Sequence, residues 1–271
     1  MPSRLFGVRG LCRLALRAVL PVDCISCAQP LRMDAIPHFC DCCWTRIAPL
    51  TGPRCSSCDQ PFASKHATSR TPAHRCQQCL ERPPAYDRAW TLYPYLPPLQ
   101  DAICALKYRK LFGLADCLSK LMIRALPPQL TADVIVPVPL HPSRLRAREF
   151  NQSLLMADRV GRHLVRPVST TSLERTVATE SQTSLTRSER LRNLRHAFVV
   201  CDAKPVDGRC VLLIDDVFTT GTTLNECAKA LRSAGAASVL ALTLARTIDS
   251  SLVPDRCLAE HGQRWFTATR S

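Results

Sequence analysis

The sequence predicts an α/β protein: a parallel-rich sheet flanked by helices, with a small cysteine-rich metal module ahead of it. Three observations carry this prediction. From about residue 85 onward, short apolar runs alternate with amphipathic stretches. Such alternation marks strands buried on both faces between helices. One run, residues 211–223, passes from apolar residues through two acids into a Thr/Gly turn. Finally, eight of the ten cysteines before residue 80 form four Cys-x-x-Cys pairs.

The expected elements follow in chain order. Residues 1–21 carry Leu11, Leu14, Ala15 and Ala18 at helical spacing, interrupted by Arg9, Arg13 and Arg17. They read as a basic amphipathic helix rather than a signal peptide or a membrane span, both of which need an uninterrupted apolar stretch. Residues 22–84 hold the paired cysteines among many turn residues and close on Pro83 and Pro84, a short stiff linker. Residues 85–250 form the α/β domain. Its strands are expected at 89–93, 133–138, 210–214 and 238–244. Its helices are expected at 99–108, 114–126, 150–164 and 222–234, the last stopped by Gly235. Residues 251–271 form a tail with no recognisable pattern. No internal repeat is seen beyond the doubled cysteine motif.

Composition narrows the class. A hydrophobic content of 46% excludes a disordered chain. The sixteen cysteines are paired in one segment and single elsewhere, which excludes a secreted disulfide scaffold and points to metal. Metal-binding thiolates need a reducing compartment, so a cytoplasmic protein is expected. The formal net charge of +14, spread over both halves of the chain, favours anionic partners: phosphorylated small molecules or nucleic acid.

Cys24, Cys27, Cys40 and Cys43 make one candidate quartet, and Cys55, Cys58, Cys76 and Cys79 another. The spacers of 12 and 17 residues suit zinc ribbons, and four thiolates give the closed tetrahedral site of structural zinc. Two Zn2+ ions are expected. Crossed pairing between the quartets stays open. Cys42 is a competing ligand beside Cys43, and His38, His66 and His74 are nearby spares. Four redox Cys-x-x-Cys motifs without a thioredoxin-like surround are the less favoured reading. With few apolar residues, the module should need metal in order to fold.

The run at 211–223 carries the second chemistry. Four apolar residues make a strand, and Asp215 and Asp216 end it. Thr219, Thr220, Gly221, Thr222 and Thr223 then lead into a helix. A helix start offers unpartnered backbone N–H groups and partial positive charge, which suits a phosphate. The threonines add hydroxyl donors, and Gly221 allows close approach and a positive φ. The two carboxylates are placed to accept bonds from ribose hydroxyls or to act on Mg2+. An ordinary capped strand–turn–helix is the bland alternative. No Gly-Lys-Ser/Thr follows, so this is not a nucleotide P-loop.

This run resembles the phosphoribosyl-pyrophosphate signature of type I phosphoribosyltransferases. The wider pattern is similar to the ComF family of competence-associated, amidophosphoribosyltransferase-like proteins. Besides the cysteine pairs and the diacid turn, the resemblance rests on Pro137, Val138, Pro139, Leu140, His141, Pro142, Ser143, Arg144 and Leu145. It continues through Arg148, Phe150, Asn151 and Gln152, then Arg175, Thr179, Gln182, Leu185, Arg190 and Asn193. It spans residues 22–246. Glu149 departs from it, standing where the family has Gly; a turn needing positive φ would make Glu costly there.

The resemblance implies the type I phosphoribosyltransferase fold with an N-terminal double zinc ribbon, binding phosphoribosyl pyrophosphate (PRPP) with Mg2+. It implies that the proline-stiffened loop 136–144 faces the pyrophosphate, with Arg144, Arg146 and Arg148 supplying charge. It also implies a lid over the diphosphate from residues 174–195, carrying Arg175, Gln182, Arg190 and Asn193. Lys107 ends a helix, where dipole complementation explains it; by resemblance it can also face the site. The implied reaction displaces pyrophosphate from ribose C1, with the Asp pair orienting the sugar. The acceptor and its base are not legible. Two alternatives stand beside the enzyme. One is a DNA-uptake protein, working with partner proteins, whose zinc ribbons and positive charge contact single-stranded DNA, although the module offers few aromatics (Phe39, Trp44, Phe62). The other is a sensor that binds PRPP without turnover.

Overall fold

The computed structural model describes residues 22–31, 34–62, 74–177 and 197–248. The expected helix at 1–21 and the tail at 251–271 lie outside the described residues. In chain order the elements are α1 (Asp41–Thr45), α2 (Gln77–Glu81), β1 (Arg88–Pro94), α3 (Leu99–Arg109) and α4 (Gly113–Arg124). There follow β2 (Val134–Pro137), α5 (Pro142–Arg148), α6 (Gln152–Leu164), β3 (Leu173–Arg175) and β4 (Phe198–Val200). The described chain ends with β5 (Cys210–Phe218), α7 (Thr222–Ser233) and β6 (Ser238–Arg246).

Four strands form one parallel sheet in the order β1-β6-β5-β2. Their C-terminal ends align, since Pro94 and Phe218 both pair with Arg246. In open parallel sheets that rim is where ligands are taken. Both faces are covered, which is why these strands read as apolar runs without alternation. On one face Leu212, Ile214, Leu242 and Leu244 pack with Leu106, Leu118, Met122 and Val160 of α3, α4 and α6. On the other, Val211, Leu213, Val239 and Ala241 pack with Leu224, Cys227 and Leu231 of α7. Each fully buried leucine contributes about 1.5–3 kcal/mol.

Three local expectations need correction. The acids do not end β5: the strand continues through Val217 and Phe218, because β6 extends beside it to Arg246 and keeps the ladder paired. The proline-stiffened loop becomes a helix after His141. The His141 side chain accepts from Ser143 N (3.2 Å), and Pro142 takes the first helical turn, where its missing N–H costs nothing. Residues 173–175, at the start of the expected lid segment, are not irregular polar chain but a strand that pairs antiparallel with residues 198–200. Glu149, the C-cap of α5, does adopt φ 67° and is ion-paired to Lys110, itself a left-handed C-cap with φ 54°.

The repeat in the cysteine module is longer than the paired cysteines. Residues 24–30 and 55–61 share Cys-x-x-Cys-x-Gln-Pro and fold into two like knuckles. Each is closed by one bridge, Asp23 with Pro30 and Arg54 with Pro61. Each places the residue after its second cysteine at positive φ, 59° for Ala28 and 64° for Asp59. The first knuckle belongs to the α3–α4 side: Phe39 is fully buried there, and Pro37 lies against Gly113. The second lies along the outer edge of β1. Ala89 N donates to Ser57 O (2.8 Å), Leu50 N to Leu92 O (2.8 Å) and Thr91 N to the Asp59 carboxylate (2.7 Å).

Candidate functional site

The site forms where β5 leaves the sheet. Strand alternation turns Asp216 toward α3 and Asp215 toward the α7 side. Lys107, in the last turn of α3, is partly buried and forms an ion pair with the buried Asp216. Burial works against the lysine charge, but the Asp216 carboxylate outweighs it, and the Lys107 pKa is raised. Asp215 accepts from Ser153 Oγ (2.8 Å) and from its neighbour's backbone, Asp216 N (2.9 Å). Burial, then the adjacent Asp216 charge, pushes Asp215 up to about 7, against the opposing pull of Lys107.

Ser153 is held in place by the start of α6. Asn151 caps that helix, accepting from Ser153 N (2.9 Å) and donating to Val138 O (3.0 Å) at the end of β2. One side chain thus ties the second strand end to the helix that presents the hydroxyl.

After Phe218 the chain turns through Thr219–Gly221 into α7. Thr219 and Thr220 are exposed; Thr222 and Thr223 are half-buried. The Thr220 and Thr222 hydroxyls are 2.8 Å apart. Gly221, the N-cap of α7, has φ 75° and no side chain with which to cap the helix; Thr222 N makes one long bond to Thr220 Oγ1 (3.4 Å). A Cβ there would stand 2.5 Å from Phe218 Cζ, so both conformation and contact require glycine. The result is a helix start with uncapped N–H groups at the sheet rim, beside two carboxylates.

Arginines surround this rim. Burial and the charge of Arg144 lower the Arg175 pKa, while Asp215 supports it; Arg144 is lowered by burial and by Arg148. These three cations therefore share one field. Arg175 is buried at the end of β3 with its guanidinium over Phe198 (5.5 Å), and Arg148 lies over Tyr108 (5.3 Å). Of the residues expected at the site, Lys107, Asp215 and Asp216 come together just ahead of the Thr/Gly turn, and Arg175 is coupled to Asp215 and to Arg144. Arg190, Gln182 and Asn193 fall outside the described residues. Ser153 was missed; its hydroxyl follows a helix cap, but only the fold supplies its partner. Phe218, Gln60 and Arg246, linked to one another beside the turn, were missed as well.

The cysteines form sequential quartets: Cys24, Cys27, Cys40 and Cys43, then Cys55, Cys58, Cys76 and Cys79. Within each, every Sγ lies within 4.8 Å of the others. The Cys27–Cys40 and Cys58–Cys76 sulfurs are 3.7 and 3.6 Å apart, close to the about 3.8 Å of thiolates on a tetrahedral zinc with bonds of about 2.3 Å. Backbone amides donate to the sulfurs, Cys40 N to Cys24 (3.4 Å) and Cys76 N to Cys55 (3.2 Å). The donor sets thus fit two structural zinc ions. Cys42 is exposed, and it lies outside the quartets, as do the described His38 and His74. Phe39 is buried edge-on to Trp44 and Phe62 edge-on to His74, so the module's aromatics are engaged internally. Among the described residues, no helix is long and apolar enough to cross a membrane.

Comparison with known proteins agrees with both parts. A phosphoribosyl transferase domain model matches residues 150–265, and a double zinc ribbon domain model matches residues 15–81. DNA utilization protein YhgH of Escherichia coli (strain K12) is 35% identical over 238 residues, covering 84% of this chain and 99% of that protein. Competence protein F of Haemophilus influenzae is 31% identical over 230 residues, covering 82% and 96%. Among solved structures, orotate phosphoribosyltransferase from Aeropyrum pernix is similar at 20% identity, covering 50% of this chain and 63% of that one, with a TM-score of 0.32.

Proposed function

The chain belongs to the family of DNA utilization protein YhgH and competence protein F, and we propose that within it this protein binds PRPP with Mg2+ and transfers the phosphoribosyl group to an acceptor. One observation carries the reading: a carboxylate pair, held by Lys107 and Ser153, immediately precedes an uncapped helix start at the rim of a parallel sheet.

The 5′-phosphate sits on the amides and hydroxyls of residues 219–223. Asp215 and Asp216 accept from the ribose hydroxyls. Arg144 and Arg175 face the pyrophosphate, with Arg190 of the implied lid joining them. Mg2+ would neutralise charge on the leaving pyrophosphate, and the carboxylate pair is the donor set for it. An acceptor lone pair bonds to C1 as the C1–O bond breaks, and pyrophosphate departs with those electrons. Lys107 ion-pairs with Asp216 and so fixes that carboxylate at the rim where the sugar binds.

Calorimetry with PRPP and Mg2+ tests the binding step. The wild type should bind, and the double change Asp215→Asn, Asp216→Asn should abolish the heat; retained binding refutes the reading. Pyrophosphate release with purine, pyrimidine and amine acceptors tests transfer.

A second reading, single-stranded DNA binding without turnover, draws on a different surface. Tyr108 is 71% and Phe112 49% exposed, beside the basic helix α5 with Arg144, Arg146 and Arg148. Exposed aromatics among cations suit base stacking. Steeply salt-dependent oligonucleotide binding, weakened by Tyr108→Ala and without pyrophosphate release, would favour this reading over transfer.

A further inference from the structure

We propose that the second zinc knuckle is a working part of the phosphate site, with Gln60 and Arg246 as positioning residues that set the shape of the Thr/Gly turn through Phe218. This rests on the reading that the turn takes a ribose 5-phosphate.

Arg246 is the last residue of β6 and is 5% exposed. A buried guanidinium must have its donors satisfied. The second knuckle does this with neutral oxygens. Nη1 donates to the carbonyl of Cys58 (2.7 Å), itself in the second quartet. Nε (3.0 Å) and Nη2 both donate to the Gln60 side-chain oxygen. The guanidinium plane is thereby fixed from the knuckle side.

Its other face carries Phe218, with 4.3 Å from Cζ of the arginine to the ring centroid. Such a desolvated cation–π contact holds the ring in one place. Phe218 is pinned further by the sheet, paired with Arg246 and accepting from Thr247 N (3.0 Å). The ring in turn fills the space where any Cβ at Gly221 would stand. Phe218 is therefore the floor of the turn. The chain of contacts runs Cys58 and Gln60, Arg246, Phe218, Gly221, through hydrogen bonds, then a cation–π contact, then close packing.

The first knuckle is an internal control. It repeats Cys-x-x-Cys-x-Gln-Pro, but its glutamine, Gln29, is exposed. The same motif thus has a partnered glutamine only where it meets the phosphate turn.

The experiment compares Gln60→Leu with Gln29→Leu in the full zinc-loaded chain, using Arg246→Lys as a second variant that keeps the charge but loses the fork. Amide hydrogen exchange reads the turn directly. Exchange at Gly221, Thr222 and Thr223 should rise about tenfold in Gln60→Leu, with unchanged zinc content, and stay at the wild-type rate in Gln29→Leu. Calorimetry with two separate probes adds a split that loss of stability would not produce. Affinity for ribose 5-phosphate should fall about tenfold while affinity for inorganic pyrophosphate holds. Unchanged exchange at the turn in Gln60→Leu overturns the coupling, as does an equal fall for both probes. If the wild type binds neither probe while exchange still responds to Gln60→Leu, the coupling stands and the phosphoribosyl reading fails instead.

Discussion

The two knuckles are near copies in sequence and differ in what they hold. The first rests on helices through apolar contact, with Phe39 as its buried anchor. The second rests on the sheet through polar bonds. Asp59, at the position of Ala28, is buried, receives Arg54 Nη1 (2.8 Å), and accepts from both the amide and the hydroxyl of Thr91. Burial raises the Asp59 pKa and Arg54 pulls it back. Two like units thus serve as a packing element and a docking element. The Asp59 carboxylate, in a left-handed position that Asp tolerates better than most residues, contributes to the difference.

The largest expected effect separates the quartets. Cys58→Ser should lower the melting temperature by on the order of 10 °C, because it loosens the β1 edge and Arg246 along with the metal site. Cys27→Ser should leave β1 and the phosphate turn protected in hydrogen exchange. Equal loss of protection at the turn from both changes would erase the distinction. Next, Asp59→Ala should cost about 2–4 kcal/mol in denaturant unfolding, since it strands the Thr91 amide and Arg54. Ala28→Asp at the matching position should stay within about 1 kcal/mol of wild type.

At the turn that the second knuckle braces, Gly221→Ala should cost about 1–3 kcal/mol from positive φ and the clash with Phe218, and should weaken ribose 5-phosphate more than pyrophosphate. The smallest effect concerns pH. Asp215 carries a raised pKa, so its contribution to stability is complete below the unfolded value of about 3.9 and is lost as pH rises through about 7. Asp215→Asn should flatten the stability slope between about pH 4 and pH 8, raising stability at the upper end by on the order of 1–2 kcal/mol. Thermal melts across that range check it. A slope unchanged by Asp215→Asn would mean that another group titrates.

Much of this architecture was legible from residue order. Apolar runs located all four parallel strands to within a few residues, because burial on both faces leaves an unbroken signal. The quartets were legible because ligand spacing is a local property. The antiparallel pair of β3 and β4 was not, since three-residue strands carry almost no period. Helix α5 was hidden by prolines that suggested a loop, although Pro142 sits where a helix accepts it. At the site, Asp215 and Asp216 announced themselves by adjacency. Ser153 and Arg246 did not, for their roles depend on partners 62 and 188 residues away.

The lateral contact between the second knuckle and β1 has a consequence for the chain outside its folded state. β1 is an outermost strand, and its free rim is satisfied by Ser57, Asp59, Arg54 and Leu50. An unpaired rim of this kind recruits other chains. Zinc starvation would therefore do more than silence one ligand pocket. It would uncover a sticky seam along β1, open to pairing with a second copy.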